Sequence, residues 1–538
     1  MSYPTPLLLA NGVIHTMWDD VPLADAIAID RANGRIVAVG SEAEVRAALG
    51  VFARVEVVDL HGQTVLPGLI DAHTHILAAA RDTIEVNLAG TVDAAEAVTR
   101  IAVHVATLPK GTWIIGRHWN QNEWPGRQFP TRTALDAAVP DHPCALWTHS
   151  QHAVWVNSVA LARAGITRDT ADPAGGTIAR DVDGEPTGML FESACTRIDE
   201  ISTAETDDDA QTLAALRRVL AGFAARGLTA CYTMEGARSL RLAQTLRGAG
   251  TLPLRLGYYL PVTQLEAATT IGLEMGFGDD WLRITGIKIF ADGALGTRTA
   301  AMLQPFADDP GNMGLLTTPF EQMQSQVTAA FRGGLGVSIH AIGDRAVRTA
   351  LDGIERALLL APAGQPRRFR LEHVQLADPA DIARMAQLDV VGSVQPFHAV
   401  SDRDVAERSW QERAGRGYAY ATLANAGVRL ALGSDVPIET ADPWRIIHAA
   451  VARTDDHTPD RPAWHPHQAL TVARALWGYT VGAAWAGGDE TRFGQLAPGL
   501  LGDCIVLADD PLRIGMRELA RMPITATIVG GVVIAGSL

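Results

Sequence analysis

The chain has 538 residues, 47% of them hydrophobic and 20% charged, with a net charge of −15. That length allows a large core and more than one domain, and the acidity argues against nucleic acid and against an anionic membrane surface as partners. Cys144, Cys195, Cys231 and Cys504 stand far apart, so neither a disulfide framework nor a thiolate zinc site is indicated.

Met1-Ser2-Tyr3-Pro4-Thr5-Pro6 carries no basic segment, and Leu7-Leu8-Leu9 is too short for the apolar core of a signal peptide. No stretch is long and apolar enough to span a bilayer, and a cytoplasmic location is expected. Ala26 to Val39 predicts two short strands about the turn Asn33-Gly34, and Val55 to Val58 predicts another. At the far end Cys504 to Leu507 and Thr527 to Ile534 read as strands, the second broken by Gly530-Gly531. Each set is too small to close a core by itself. Together they predict one small β-sandwich built from residues 1–64 and 485–538, flanking a larger domain over 65–484.

The run Val65-Leu66-Pro67-Gly68-Leu69-Ile70-Asp71-Ala72-His73-Thr74-His75 reads as a buried strand with two histidines at its end. Side chains alternate along a strand, so the imidazoles of His73 and His75 face the same way and can grip one metal ion. Taken alone, the pair also reads as two strand-end histidines with polar partners. The stretch from about 80 to 205 fits a strand–helix alternation poorly and holds five of the twelve tryptophans: Trp113, Trp119, Trp124, Trp147 and Trp155. It is expected to be an insertion folded over the mouth of the larger domain. Its tryptophans build either its own core or, as a group, an apolar and partly aromatic pocket wall.

From there the alternation is regular. Thr206 to Arg226 predicts a helix with Asp207 to Asp209 in its first turn and Gly227 as its stop. Leu228 to Thr233, Ile284 to Phe290, Gly336 to His340, Phe369 to His373, Val390 to Gln395 and Val428 to Gly433 read as strands, with helical stretches between most of them. Such alternation predicts an α/β fold with a parallel sheet, most simply a TIM-like (β/α)8 barrel. Lys288 lies inside one of these apolar strands, His340 and His373 end two others, and Asp435 follows Gly433-Ser434. The carboxyl ends of barrel strands are where such folds keep their chemistry. Singly, a strand-end histidine is a hydrogen-bonded structural residue, a strand-end aspartate a helix cap, and the lysine a side chain reaching for solvent. Six such residues at separate strand ends of one barrel point to a metal centre, and imidazole with carboxylate suits zinc, manganese, iron or nickel.

These motifs resemble those of the amidohydrolase superfamily of metal-dependent hydrolases over nearly the whole chain. Pro67 to His75, Lys288 with Asp292-Gly293, His340, Glu372-His373, Gly433-Ser434-Asp435 and Leu496-Ala497-Pro498-Gly499 with Gly502-Asp503 carry the likeness. Lys288 to Gly296 and His152-Ala153-Val154-Trp155-Val156-Asn157-Ser158 are similar to family 3 of that superfamily, a branch that includes N-substituted formamide deformylases. The resemblance implies one or two divalent metal ions, zinc first among them. His73, His75 and Asp435 would hold the buried ion, His340 and His373 the exposed one, and carbamylated Lys288 would bridge the two. A carbamate is required because a lysine ammonium has no lone pair to give.

The implied reaction is hydrolysis of an amide-type carbon–nitrogen bond, with Asp435 carrying the proton from water to the leaving nitrogen. The partner would be a small molecule, an apolar or aromatic amide. His152, Trp155, Asn157, Trp119 and Arg298 are the candidate substrate contacts, with Asp292 and Glu372 ordering the site around the ligands. A homo-oligomer is left open. Hydrolytic deamination of a ring amidine on the same fold is the alternative, against which the bridging lysine counts. A non-catalytic ligand-binding barrel is a further one, against which the complete ligand set counts.

Overall fold

A computed structural model describes residues 5–106, 108–206, 208–360 and 367–538. The first four residues and Asp207 of the sequence reading lie outside them. Eight parallel strands form the central sheet: β1 (Leu69–Thr74), β2 (Leu228–Thr233), β3 (Arg255–Pro261), β4 (Leu282–Phe290), β5 (Gly336–Ala341), β6 (Phe369–His373), β7 (Val391–Val394) and β8 (Leu430–Leu432). They neighbour one another in chain order. The open seam between β8 and β1 is drawn together just past the strand ends, where the Asp435 N–H donates to His73 O at 2.8 Å and the His75 N–H to Val436 O at 2.9 Å. The barrel is thus nearly closed. β3 was not among the strands read from the sequence, and the predicted second, seventh and eighth strands match the observed ones to within two residues at each end.

The run ending at His75 is two strands rather than one. Thr64–Pro67 pairs with Cys504–Leu507 in a sheet near the chain ends, and the chain then crosses at Gly68 into β1. The crossing needs a glycine: a Cβ on Gly68 would lie 2.1 Å from Thr229 Oγ1 on β2. The helix predicted over 206–226 is shorter, Asp209–Ala224, with Asp208 as its cap accepting from the N–H groups of Ala210 and Gln211, and a separate helix, Thr196–Thr206, precedes it.

The chain ends form two sheets. One has four strands in the order Arg35–Gly40, Ala26–Asp30, Leu7–Ala10, Glu56–Asp59. The other has six, in which Val532–Gly536, Ile524–Val529 and Cys504–Leu507 adjoin Thr64–Pro67, Val13–His15 and Leu23–Ala24. Alternation along Leu7–Ala10 sends Leu7 and Leu9 into a core shared with Val65, Val506 and Ile528, while Leu8 and Ala10 pack toward Val45 of a short helix. Residues 86–192 build a sheet of their own with six strands, between Val86–Asn87 and Pro186–Glu192. Among the described residues no helix is long and apolar enough to cross a membrane.

Candidate active site

A cavity of about 590 Å³ opens at the carboxyl ends of the barrel strands, and the insertion forms part of its lining. His73, His75, Lys288, His340, His373 and Asp435 all line it. The strand ends explain the convergence. His73 is the next-to-last residue of β1, Lys288 lies inside β4, His340 is next to last in β5, and His373 closes β6. Cross-strand register sets Phe290 opposite His340 and Lys288 opposite Ser338. His373 (φ 74°) and Asp435 (φ 61°) both take left-handed backbone conformations just where the chain leaves a strand. Such conformations are uncommon for residues with a Cβ and gather at functional sites.

Hydrogen bonds orient the ligand set. His73 Nδ1 lies 2.6 Å from Glu372 Oε2 and His373 Nδ1 lies 2.8 Å from Gln395 Oε1, while His340 Nε2 lies 3.0 Å from Gly293 O. Each imidazole thereby has one nitrogen tied to the protein and the other left over, the arrangement that metal-ligating histidines show. His73 Nε2 is buried without a hydrogen-bond partner, 3.4 Å from Asp435 Oδ1, and His75 Nε2 lies 3.1 Å from the same oxygen. The ligand atoms of His73, His75 and Asp435 fall within 4.8 Å of one another, and so do those of His373, His398 and Asp435. Ring centroids of His340 and His373 are 4.5 Å apart.

The electrostatics favour a cation in the middle of this set. Burial pushes His73 down to about 4, with Lys288 adding to the effect, and burial holds His340 and His373 well below the usual imidazole range. All three are therefore neutral near pH 7, the protonation state that ligates metals. Burial also brings Lys288 down to about 8. Asp435 is held well below the usual carboxylate range: burial opposes this, and hydrogen bonds from His398 and His75 work against the burial. Neutral imidazoles, one carboxylate and an unpartnered buried nitrogen fit a divalent metal ion.

Around this set, Glu372 accepts from Ser338 Oγ at 2.7 Å and from Arg370 Nη2 at 3.0 Å. Asp71 Oδ1 accepts from the N–H groups of His73 and Ser434, pinning β1 to the loop that carries Asp435. Asp292, expected to order the site, accepts from the N–H groups of Ile342, Gly343 and Ala301 and stands 3.5 Å from His340 Nε2.

The proposed substrate contacts divide. His152 lines the cavity. Trp119, Trp155, Asn157 and Arg298 do not. Trp119 and Trp155 are fully buried in the core of the insertion, where Trp119 stacks on Trp124 at 5.2 Å. Asn157 caps a helix through the Ala160 N–H and receives the Cys144 N–H, so it is a buried tie within the insertion. Arg298 turns to Asp308 at 2.9 Å. The tryptophan-rich segment thus mainly supplies its own core, and Trp147 is the one of the five that reaches the cavity lining.

His398 was not found from the sequence. It opens the helical turn His398–Ser401 after β7, with Nε2 3.2 Å from Asp435 Oδ2 and Nδ1 3.3 Å from Glu439 Oε1. The signal available was the one that served for His340 and His373, a histidine just beyond a predicted strand, here displaced by three residues.

A model of the amidohydrolase family matches residues 56–535. The chain belongs to the amidohydrolase family. It is 34% identical to Protein LONG AFTER FAR-RED 3 of Arabidopsis thaliana, over 98% of this chain and 91% of the relative. It is 30% identical to N-substituted formamide deformylase of Arthrobacter pascens, over 99% of this chain and 98% of the relative. A crystal structure of an uncharacterized metal-dependent hydrolase from Pyrococcus horikoshii superposes with a TM-score of 0.77 at 28% identity, covering 95% of this chain and 99% of that one. Membership of this family makes the chain a hydrolase that uses divalent metal.

Proposed function

We propose that this amidohydrolase cleaves an amide-type carbon–nitrogen bond of a small apolar or aromatic substrate, with Asp435 as the proton carrier. The observation that supports it most is the convergence of His73, His75, His340, His373, Lys288 and Asp435 on one cavity, with the imidazoles of His73, His340 and His373 neutral and the carboxylate charged. In this reading His73, His75 and Asp435 would hold one divalent ion, zinc first among candidates, His340 and His373 would hold a second, and carbamylated Lys288 would supply a further oxygen ligand. The lowered pKa of Lys288 leaves an appreciable neutral amine near pH 7–8, the form that adds CO2. The chemistry a divalent ion supplies in such a site is acidification of water, to a pKa of about 7, and polarisation of a carbonyl oxygen.

Asp435 does the rest. Its Oδ1 faces the histidines and its Oδ2 is steadied by His398. It takes a proton as water adds to the carbonyl carbon, then gives that proton to the leaving nitrogen as the carbon–nitrogen bond breaks. The products are a carboxylic acid and an amine. Phe290, Leu295, Ile342, Val405 and Ile438 give the cavity an apolar side, which suits an apolar acyl or amine group. The formamide-cleaving relative supports the same bond type. We read the two terminal sheets, residues 1–64 and 485–538, as one β-sandwich beside the barrel of 65–484.

The test is a panel of N-formyl, N-acyl and aryl amides on protein of measured metal content, scoring carboxylate against ammonia release. Asp435→Asn is expected to retain the fold while losing at least about 100-fold in kcat. Near-wild-type turnover in that variant removes Asp435 from the role, and ammonia release from ring amidines alone moves the protein to the deaminase reading.

A further inference from the structure

Among the insertion side chains that line the cavity, His152 stands beside the candidate ligand His340 and has no part in the reaction above. The ring of His152 stands 5.2 Å from that of His340 and 6.4 Å from that of Phe290. Its Nδ1 lies 2.7 Å from Glu192 Oε2, and the Glu192 N–H donates to His152 O at 2.9 Å, so the two residues are tied by side chain and by backbone across neighbouring strands. The other Glu192 oxygen accepts from Thr299 Oγ1 at 2.5 Å. Thr299 belongs to the loop that follows β4, so this carboxylate joins the insertion to the barrel.

Two backbone features hold the carboxylate there. Glu192 takes φ 53° and ψ −126°, a region costly for a residue with a Cβ and kept only where the surroundings impose it. Gly293 leaves the space empty: a Cβ there would sit 2.2 Å from Glu192 Oε1. Gly293 O is also the partner of His340 Nε2. His152 Nε2, by contrast, has no hydrogen-bond partner among the described residues, and the side chain keeps 16% of its surface open within the cavity lining.

We propose that His152 and Glu192 form a substrate-orienting pair, in which Glu192, held by Thr299, aims His152 Nε2 at the scissile amide on the side of His340. This rests on the reading that the site cleaves an amide. With Nδ1–H given to the carboxylate, the neutral ring offers the Nε2 lone pair to the amide N–H, and the imidazolium offers an N–H to the carbonyl oxygen. Glu192 is a positioning residue that acts through His152. Neither residue belongs to the proposed metal set, so metal binding and substrate orientation separate by mutation.

The experiment compares wild type with His152→Asn, Glu192→Gln and Thr299→Val. Metal content and melting temperature are measured first, then kcat and KM on formanilide and acetanilide, then calorimetric affinity for phenylurea, an unreactive isostere. The expected result is a loss in kcat/KM of about 100-fold for His152→Asn and about 10-fold for Glu192→Gln, with less for Thr299→Val and none for Thr299→Ser. Phenylurea affinity falls about 10-fold in His152→Asn, while metal content and melting temperature stay at wild-type values. Unchanged kinetics and affinity overturn the proposal, and so do losses that merely track metal or fold. If wild type hydrolyses no amide, the hydrolytic reading fails, and phenylurea decides the pair by itself: weakened binding in His152→Asn supports it, and unchanged or absent binding overturns it.

Discussion

Glu372→Gln tests how the metal centre is built, because one buried carboxylate serves both its charge balance and its geometry. Glu372 is fully buried and takes hydrogen bonds from His73 Nδ1 at 2.6 Å, Ser338 Oγ at 2.7 Å and Arg370 Nη2 at 3.0 Å, with Arg370 Nε on its other oxygen. Glutamine keeps the shape but offers one acceptor oxygen, and its NH2 then meets a donor, either His73 or the Ser338–Arg370 side. Arg370, 1% exposed, loses its only carboxylate among the described residues. Stripping one partner from a buried ion pair costs about 3–5 kcal/mol, a large share of the about 5–15 kcal/mol that holds typical domains together. His73 loses the group that fixes its tautomer, which weakens metal binding by about 10–100-fold. Urea unfolding of metal-stripped protein reads the first effect as a lower midpoint at unchanged slope, and competition for zinc against a chromogenic chelator reads the second. A midpoint shift worth less than about 1 kcal/mol, together with zinc affinity at the wild-type value, refutes the reasoning.

Three further outcomes are expected. Lys288→Ala loses bound metal, measured by elemental analysis, and short carboxylic acids partly restore it; full metal content without any addition removes the carbamate from the site. His398→Asn takes away a hydrogen bond that helps keep Asp435 ionised. With that support gone the Asp435 pKa rises, so the acid limb of the kcat/KM profile moves to higher pH, and a limb that stays in place contradicts the assigned contact. Arg255 and Asp503 form a buried pair at 2.6 and 2.8 Å between β3 and the terminal sheet. Arg255→Met is expected to destabilise by about 3–5 kcal/mol, and the double variant Arg255→Met/Asp503→Leu to recover most of it; equal losses in the single and double variants, by denaturant titration, count against the pair.

The candidate metal set was legible because its members stand at or near the carboxyl ends of periodic apolar strands, and those ends in a parallel barrel share one face. His398 escaped because the chain runs three residues past β7 before reaching it, so strand periodicity no longer says where it points. The tryptophans misled as pocket candidates for a different reason. Trp119 and Trp155 are aromatic and apolar whether they face a ligand or a core, and only the six-stranded sheet of the insertion shows that they face the core. Arg298 resembled a substrate contact until the loop after β4 carried it to Asp308.

What the sequence by itself determined is the periodic part of this protein: parallel strands, their helices, and reactive side chains at strand termini, all set by local spacing and burial preference. Tertiary structure alone decided the rest, namely that the strand run at Gly68 splits between two sheets, that Glu372 serves His73 across 299 residues of chain, and that Glu192 and Thr299 meet beside Gly293. Such contacts depend on how separately folded elements dock, and docking is governed by shape and by the pairing of buried polar groups that no local pattern records.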